Sequence, residues 1–191
     1  MEKNNEELIG EVEIKLYKGH TYSISHNFKN SSAEAYFVLC MIDRVLVDVS
    51  DTNHKHSLAT IPAKYMTNSR NERVELDQFF KKYNENIDPE NKVVFGAKYK
   101  LSKQKTDKGT KLRVDTDYSP DKILNCDGKI GVSIMLYVID LMNRISVGDQ
   151  QFIAKAYTAM LQEYFDTDFP TNKTVGIAPV KAISSVIKSM R

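Results

Sequence analysis

Apolar and polar residues alternate twice near the N-terminus. Val12, Ile14 and Leu16 are interleaved with Glu11, Glu13 and Lys15; after "KGH", Tyr22, Ile24, His26 and Phe28 are interleaved with Ser23, Ser25 and Asn27. Period two marks strands with one buried face, and a short Gly-containing connection predicts a β-hairpin over 9–28. The period then changes. "NSSAEAYFVLCMIDRVLVDVSD" opens on residues suited to capping, Ser31 or Ser32, and is apolar on nearly every side from Tyr36 to Val49. It predicts a buried helix over 32–49; beyond Asp43 the β-branched "RVLVDV" suits a strand as well as a helix. Residues 50–69 show neither period and predict a long loop.

Helical spacing returns at Leu76, Phe79, Phe80 and Tyr83, giving an amphipathic helix over 71–84. A second hairpin is predicted over 92–118. Three helices follow: 129–146, apolar nearly all round; 149–165, with two adjacent apolar stripes; and 178–190, with Pro179 in its first turn. No repeat or linker interrupts the chain, so residues 1–191 read as a single α+β domain. Its two antiparallel hairpins would have about five helices packed against them.

Composition narrows the function classes. At 41% hydrophobic and 27% charged residues the chain can build an ordinary core. The net charge of +2 gives no bulk attraction to polyanions, so any contact with nucleic acid must come from local clustering. The N-terminus lacks the basic start and apolar run of a signal peptide. The apolar stretch "GVSIMLYVIDLM" is too short to span a bilayer and contains Asp140. A cytoplasmic protein without membrane partners is expected. Cys40 and Cys126 lack CxxC spacing and fit reduced thiols, with one disulfide as the alternative. Abundant Lys, Asn and Ile without Trp suit an AT-rich genome, as in many bacteria and phages; a phage-encoded chain would sit in the host cytoplasm or the virion.

The densest charge lies in "KYKLSKQKTDKGTKLRVDTDY" at 98–118. A two-residue turn at Asp107–Lys108 would set Leu101 opposite Val114, Lys100 opposite Asp115 and Lys98 opposite Asp117. A turn at Lys108–Gly109 would set Lys100 opposite Asp117. Either register offers ion pairs at the base of the hairpin. Lys103, Lys105, Lys108 and Lys111 at the tip, with Arg113, have only Asp107 among them and form the candidate surface for phosphate or an anionic partner. Tyr99 and Tyr118 sit at the base, where they offer no stacking platform at the tip.

No G-x-S-x-G turn, P-loop or dinucleotide fingerprint is present, and no catalytic residue or cofactor is assigned. His54 and His56 are weak metal candidates: alternate residues of an extended loop point the same way, but no third histidine is near in sequence. Cys40 reads as a core thiol and Cys126 as a passive one. Two helices that are apolar nearly all round suggest burial outside the chain. Leu39 and Leu136 are therefore candidate interface residues, together with Val180, Ile183, Ile187 and Met190 on one face of the last helix. The expectation is a non-enzymatic structural or assembly subunit, homo-oligomeric and phage- or mobile-element-encoded, for example a virion component. The rival is a nucleic-acid-binding accessory protein using the basic hairpin. The third reading is an enzyme with an unrecognised metal or thiol site.

Overall fold

The computed structural model describes residues 6–17, 22–49, 52–67, 93–107, 109–119, 127–167, 169–171 and 173–191. Strands β1 (Glu6–Tyr17) and β2 (Tyr22–His26) form the first hairpin, and β3 (Val93–Thr106) and β4 (Gly109–Ser119) the second. The described helices are α1 (Ser31–Asp48), α2 (Thr52–Thr67), α3 (Asp127–Arg144), α4 (Val147–Asp166) and α5 (Ile177–Ser189). The α+β arrangement of two hairpins and packed helices is the one the periodicities predict. What they do not predict is that both hairpins share one antiparallel sheet, in the order β2-β1-β3-β4. The seam is β1 against β3, with Val12 opposite Tyr99 and Ile14 opposite Ala97.

Alternation builds the layers. Val12, Ile14, Phe95, Ala97, Tyr99, Leu101 and Val114 face the helices and are at most 7% exposed. Glu11, Glu13, Lys98, Lys100, Asp115 and Asp117 fall on the opposite, solvated face. The β1–β3 register slips between Leu8 and Gly10, leaving Ile9 as a bulge. Gly10 needs its missing side chain here: a Cβ would be driven into the ring of Phe28, which is itself backed by Phe37 at 4.8 Å.

Helix α1 is the centre of the core. Phe37, Val38, Leu39, Met41, Ile42, Val45 and Leu46 are fully buried, which requires cover on every side. The sheet and helices α2 to α5 supply it. The helix continues to Asp48; burial overrides the β-branched preference of its second half, and the strand alternative is not taken. Its N-cap is Asn30, whose side chain accepts from the Ser32 amide at 2.7 Å, rather than Ser31 or Ser32.

Within the stretch expected as a loop at 50–69, Thr52–Thr67 form helix α2 instead. Leu58, Ala59, Pro62, Tyr65 and Met66 are buried at i, i+1, i+4, i+7 and i+8, a helical stripe with a proline in its third turn. Proline has no N–H to offer the carbonyl four residues back, that of Leu58, and its ring crowds that carbonyl. The turn is tied to α4. The buried Tyr157 hydroxyl donates to the Ala59 carbonyl at 2.7 Å, with the Leu58 carbonyl at 3.5 Å. The helix expected over 71–84 lies outside the described residues. A second tie joins α3 to the sheet: Ser133 donates to the Ile130 carbonyl at 2.8 Å, which leaves its oxygen to accept from the Tyr99 hydroxyl at 3.0 Å.

Candidate functional site

The last pair of the basic hairpin is Thr106 opposite Gly109. Lys100 therefore faces Asp115, Lys98 faces Asp117 and Leu101 faces Val114, the first of the two expected registers. The ion pairs run differently from the register. Lys98 reaches Glu11 on β1 at 3.3 Å, and Asp115 is held by Arg113 of its own strand at 2.7 Å.

The basic residues of the tip do not converge. Lys103 and Lys105 pair with Leu112 and Thr110 on the helix-side face, whereas Lys111 and Arg113 pair with Gln104 and Ser102 on the other. Lys108 lies outside the described residues. The third strand also brings anions: Glu7 stands opposite Lys103, and Glu6 opposite Gln104, where it accepts from Ser102 at 2.6 Å. Asp107 is thus not the only acid near the tip. The hairpin considered alone hides this, because the long-range pairing of β1 with β3 is what places Glu6 and Glu7 there.

The six candidate interface residues separate into two groups. Leu39 and Leu136 lie inside the chain's own core and present no surface. The last helix does present one. Its small residues Ala178, Pro179 and Ala182, with Val186, face inward. Its large ones face water: Val180 is 50% and Met190 68% exposed, Ile177 and Ile187 are also exposed, and Ile183 is half-buried. Phe165, near the end of α4, is exposed as well.

Two carboxylates on α1 carry most of the buried charge chemistry. Glu34, in the first turn, accepts from Tyr137 at 2.7 Å and from Arg144 at 2.7 and 3.3 Å; Arg144 also donates to Asp140 at 2.8 Å. His26 Nδ1 lies 4.0 Å from Glu34. Burial would raise the Glu34 carboxyl, but the hydrogen bonds from Arg144 and Tyr137 outweigh it and hold the group below the ordinary glutamate range. Asp43 behaves oppositely. It accepts from the Tyr164 hydroxyl at 2.6 Å and the Gly176 amide at 2.5 Å, yet burial outweighs both and raises its pKa.

Asp43 also lies beneath an open pocket of about 420 Å³, walled by Tyr164, Phe169, Thr171, Thr174 and Ile177, with the Lys181–Glu163 ion pair at its side. Because Asp43 is fully buried and both its oxygens are engaged, it clasps the turn before α5 onto α1 and presents no free carboxylate to the pocket. The signal that could have flagged it is an acid inside the otherwise apolar run "YFVLCMIDRVLV". One turn earlier, burial pushes the Cys40 thiol up to about 12, the reverse of what a nucleophile needs. Cys126 lies outside the described residues.

The metal reading loses its geometric premise. Positions 54 and 56 belong to a helix, not an extended loop, so they fall on different faces of α2. The His56 ring stands edge-on to Phe169, with centroids 5.0 Å apart. Compared with protein-family models, curated proteins and solved structures, the chain finds no match in any of the three.

Proposed function

We propose that this chain is a non-enzymatic assembly subunit that associates with copies of itself, with the outward face of α5 as a lasting contact. One observation carries the reading: α5 turns Ala178, Pro179, Ala182 and Val186 to the core and leaves Val180, Ile187 and Met190 exposed, with Ile183 at the boundary. A surface helix that served only its own domain would bury the large side chains. Val180, Ile183, Ile187 and Met190 follow one another at i, i+3, i+7 and i+10, the spacing of a helix seam that packs against its own kind. A second copy supplies the matching seam about a two-fold axis. Burying such side chains contributes roughly 1.5–3 kcal/mol each when burial is complete. Lys188 and Arg191 flank the seam and keep the free helix soluble. A phage- or mobile-element-encoded virion component is a setting consistent with the composition.

The test is the mass in solution. Sedimentation of the wild type at micromolar concentration should give a multiple of the chain mass. Val180→Glu with Ile187→Glu should lower that mass while circular dichroism stays unchanged, since neither residue is in the core. A wild-type monomer that instead binds duplex DNA with a steep salt dependence would overturn the proposal in favour of a nucleic-acid accessory role for the basic hairpin.

A further inference from the structure

We infer that a second copy of this chain pairs edge to edge with strand β4, about a two-fold axis at Val114, so that two four-stranded sheets become one continuous sheet. The inference rests on the reading that the chain self-associates, and it names a contact distinct from α5.

β4 is the last strand of the sheet, and among the described residues no strand lies beyond it. In a hairpin closed by a two-residue turn the flanking pair, here Thr106 and Gly109, exchanges backbone hydrogen bonds. Alternation along the unbroken β3–β4 register then sends the N–H and C=O groups of the even-numbered residues from Thr110 to Tyr118 outward. An edge of this length is a ready template for another strand, and its side chains decide which strand it accepts.

The side chains on the solvated face of β4 run Lys111, Arg113, Asp115, Asp117: two cations, then two anions. Read antiparallel, that order is complementary to itself. With Val114 opposite Val114 of the second copy, Lys111 meets the copy's Asp117 and Arg113 meets its Asp115. Symmetry repeats both pairs.

No other two-fold register does this while keeping the two faces of the sheet in line. An axis at Arg113 or at Asp115 sets that residue against itself. An axis at Leu112 opposes Lys111 to Arg113, and one at Thr116 opposes Asp115 to Asp117. A parallel, in-register alignment would put like against like throughout.

The backbone agrees with the charges. An axis at Val114 places the even residues in hydrogen-bonded pairs and the charged odd residues in the intervening pairs, where opposed side chains come closest. The rows of charge inside the monomer continue the same alternation. Glu11 faces Lys100 and Lys100 faces Asp115, which would next meet Arg113 of the copy. Glu13, Lys98 and Asp117 form the second row and would next meet the copy's Lys111. On the helix-side face, the exposed Leu112 would gain Thr116 of the copy as its neighbour.

A charge exchange followed by sedimentation tests this. Lys111→Asp with Arg113→Asp makes an acidic edge; Asp115→Lys with Asp117→Lys makes a basic one. Each variant alone should raise the dissociation constant of the contact at least about tenfold, and an equimolar mixture should restore wild-type assembly to within about threefold. The basic-edge variant sets lysines opposite Lys98 and Lys100 of its own sheet; if it fails to fold, the acidic-edge variant decides alone, because its new acids stand opposite Gln104 and Ser102 and the Arg113–Asp115 pair it also removes is solvent-exposed and contributes little to the fold. Wild-type mass in a folded acidic-edge variant overturns the inference. If Val180→Glu with Ile187→Glu still dissociates the protein in that case, self-association through α5 stands without the β4 edge. A monomeric wild type overturns both.

Discussion

Replacing Tyr157 by Phe removes one oxygen atom from the middle of the molecule and leaves the ring in place. The hydroxyl donates to the carbonyl of Ala59 at 2.7 Å, beside the Leu58 carbonyl at 3.5 Å, on the turn of α2 that precedes Pro62. Both residues are buried, so water cannot substitute for the lost donor without entering the core. An exposed hydrogen bond would cost little, whereas a buried one removed without replacement costs about 1–2 kcal/mol. For a chain of this size the thermal midpoint should fall by roughly 2–8 °C.

The specific element of the argument is the proline, and a double-mutant cycle isolates it. Pro62→Ala restores an N–H to serve the Leu58 carbonyl and removes the ring that crowds it. In that background Tyr157→Phe should cost less than half as much, a coupling of about 0.5–1 kcal/mol measured by urea unfolding followed by circular dichroism. Equal costs in the two backgrounds would show that the hydroxyl is not compensating for the proline. A cost below about 0.3 kcal/mol in the wild type would show that the bond carries no net stability.

Gly10→Ala should destabilise the fold by about 1–3 kcal/mol through overpacking against Phe28, and Phe28→Ala in the same chain should recover part of that loss in a thermal melt. The two carboxylates of α1 should show opposite pH signatures. Glu34 titrates below its unfolded value, so its stabilisation is complete above that value and is lost as pH falls; Glu34→Gln should cost about 1–3 kcal/mol at neutral pH and progressively less below about pH 4. Asp43 titrates above its unfolded value, so its stabilisation is complete at low pH and is lost as pH rises through the folded value. Asp43→Asn should therefore gain on the wild type between acid and mildly alkaline buffer in denaturant titrations, and a gain in the other direction contradicts the raised pKa.

The strands were legible because alternation fixes both a face and a register: Leu101 and Val114 can share a buried face only if even positions of β4 oppose odd positions of β3. The pairing of β1 with β3 was not legible, since nothing local distinguishes it from two separate hairpins. Helix α2 was hidden by Pro62, a helix breaker by local rules, and nothing local shows that Tyr157 of α4 ties down the turn before it. Leu39 and Leu136 pointed to an interface because a sequence shows that a helix is apolar all round, not what covers it. In α5 the outward stripe of Val180, Ile187 and Met190 was readable, but the inward face of small residues that makes it informative was not. The tip of the second hairpin looked more basic than it is for the same reason that the β1–β3 pairing was hidden: Glu6 and Glu7 arrive there only through the fold.

The order of strands in the sheet has a kinetic consequence. Each hairpin closes through a connection of a few residues, on the microsecond scale of such local events. The middle seam does not: between its nearest partners in sequence, Tyr17 and Val93, lie β2, α1 and α2. Joining β1 to β3 must therefore bear the entropy of closing a long loop before any ladder bond rewards it. Until that happens both central strands are bare edges, and β1 and β3 present to any neighbouring nascent chain the same pattern they will later present to each other. The step that completes the sheet is thus also the step most sensitive to chain concentration, because intermolecular pairing competes with it directly.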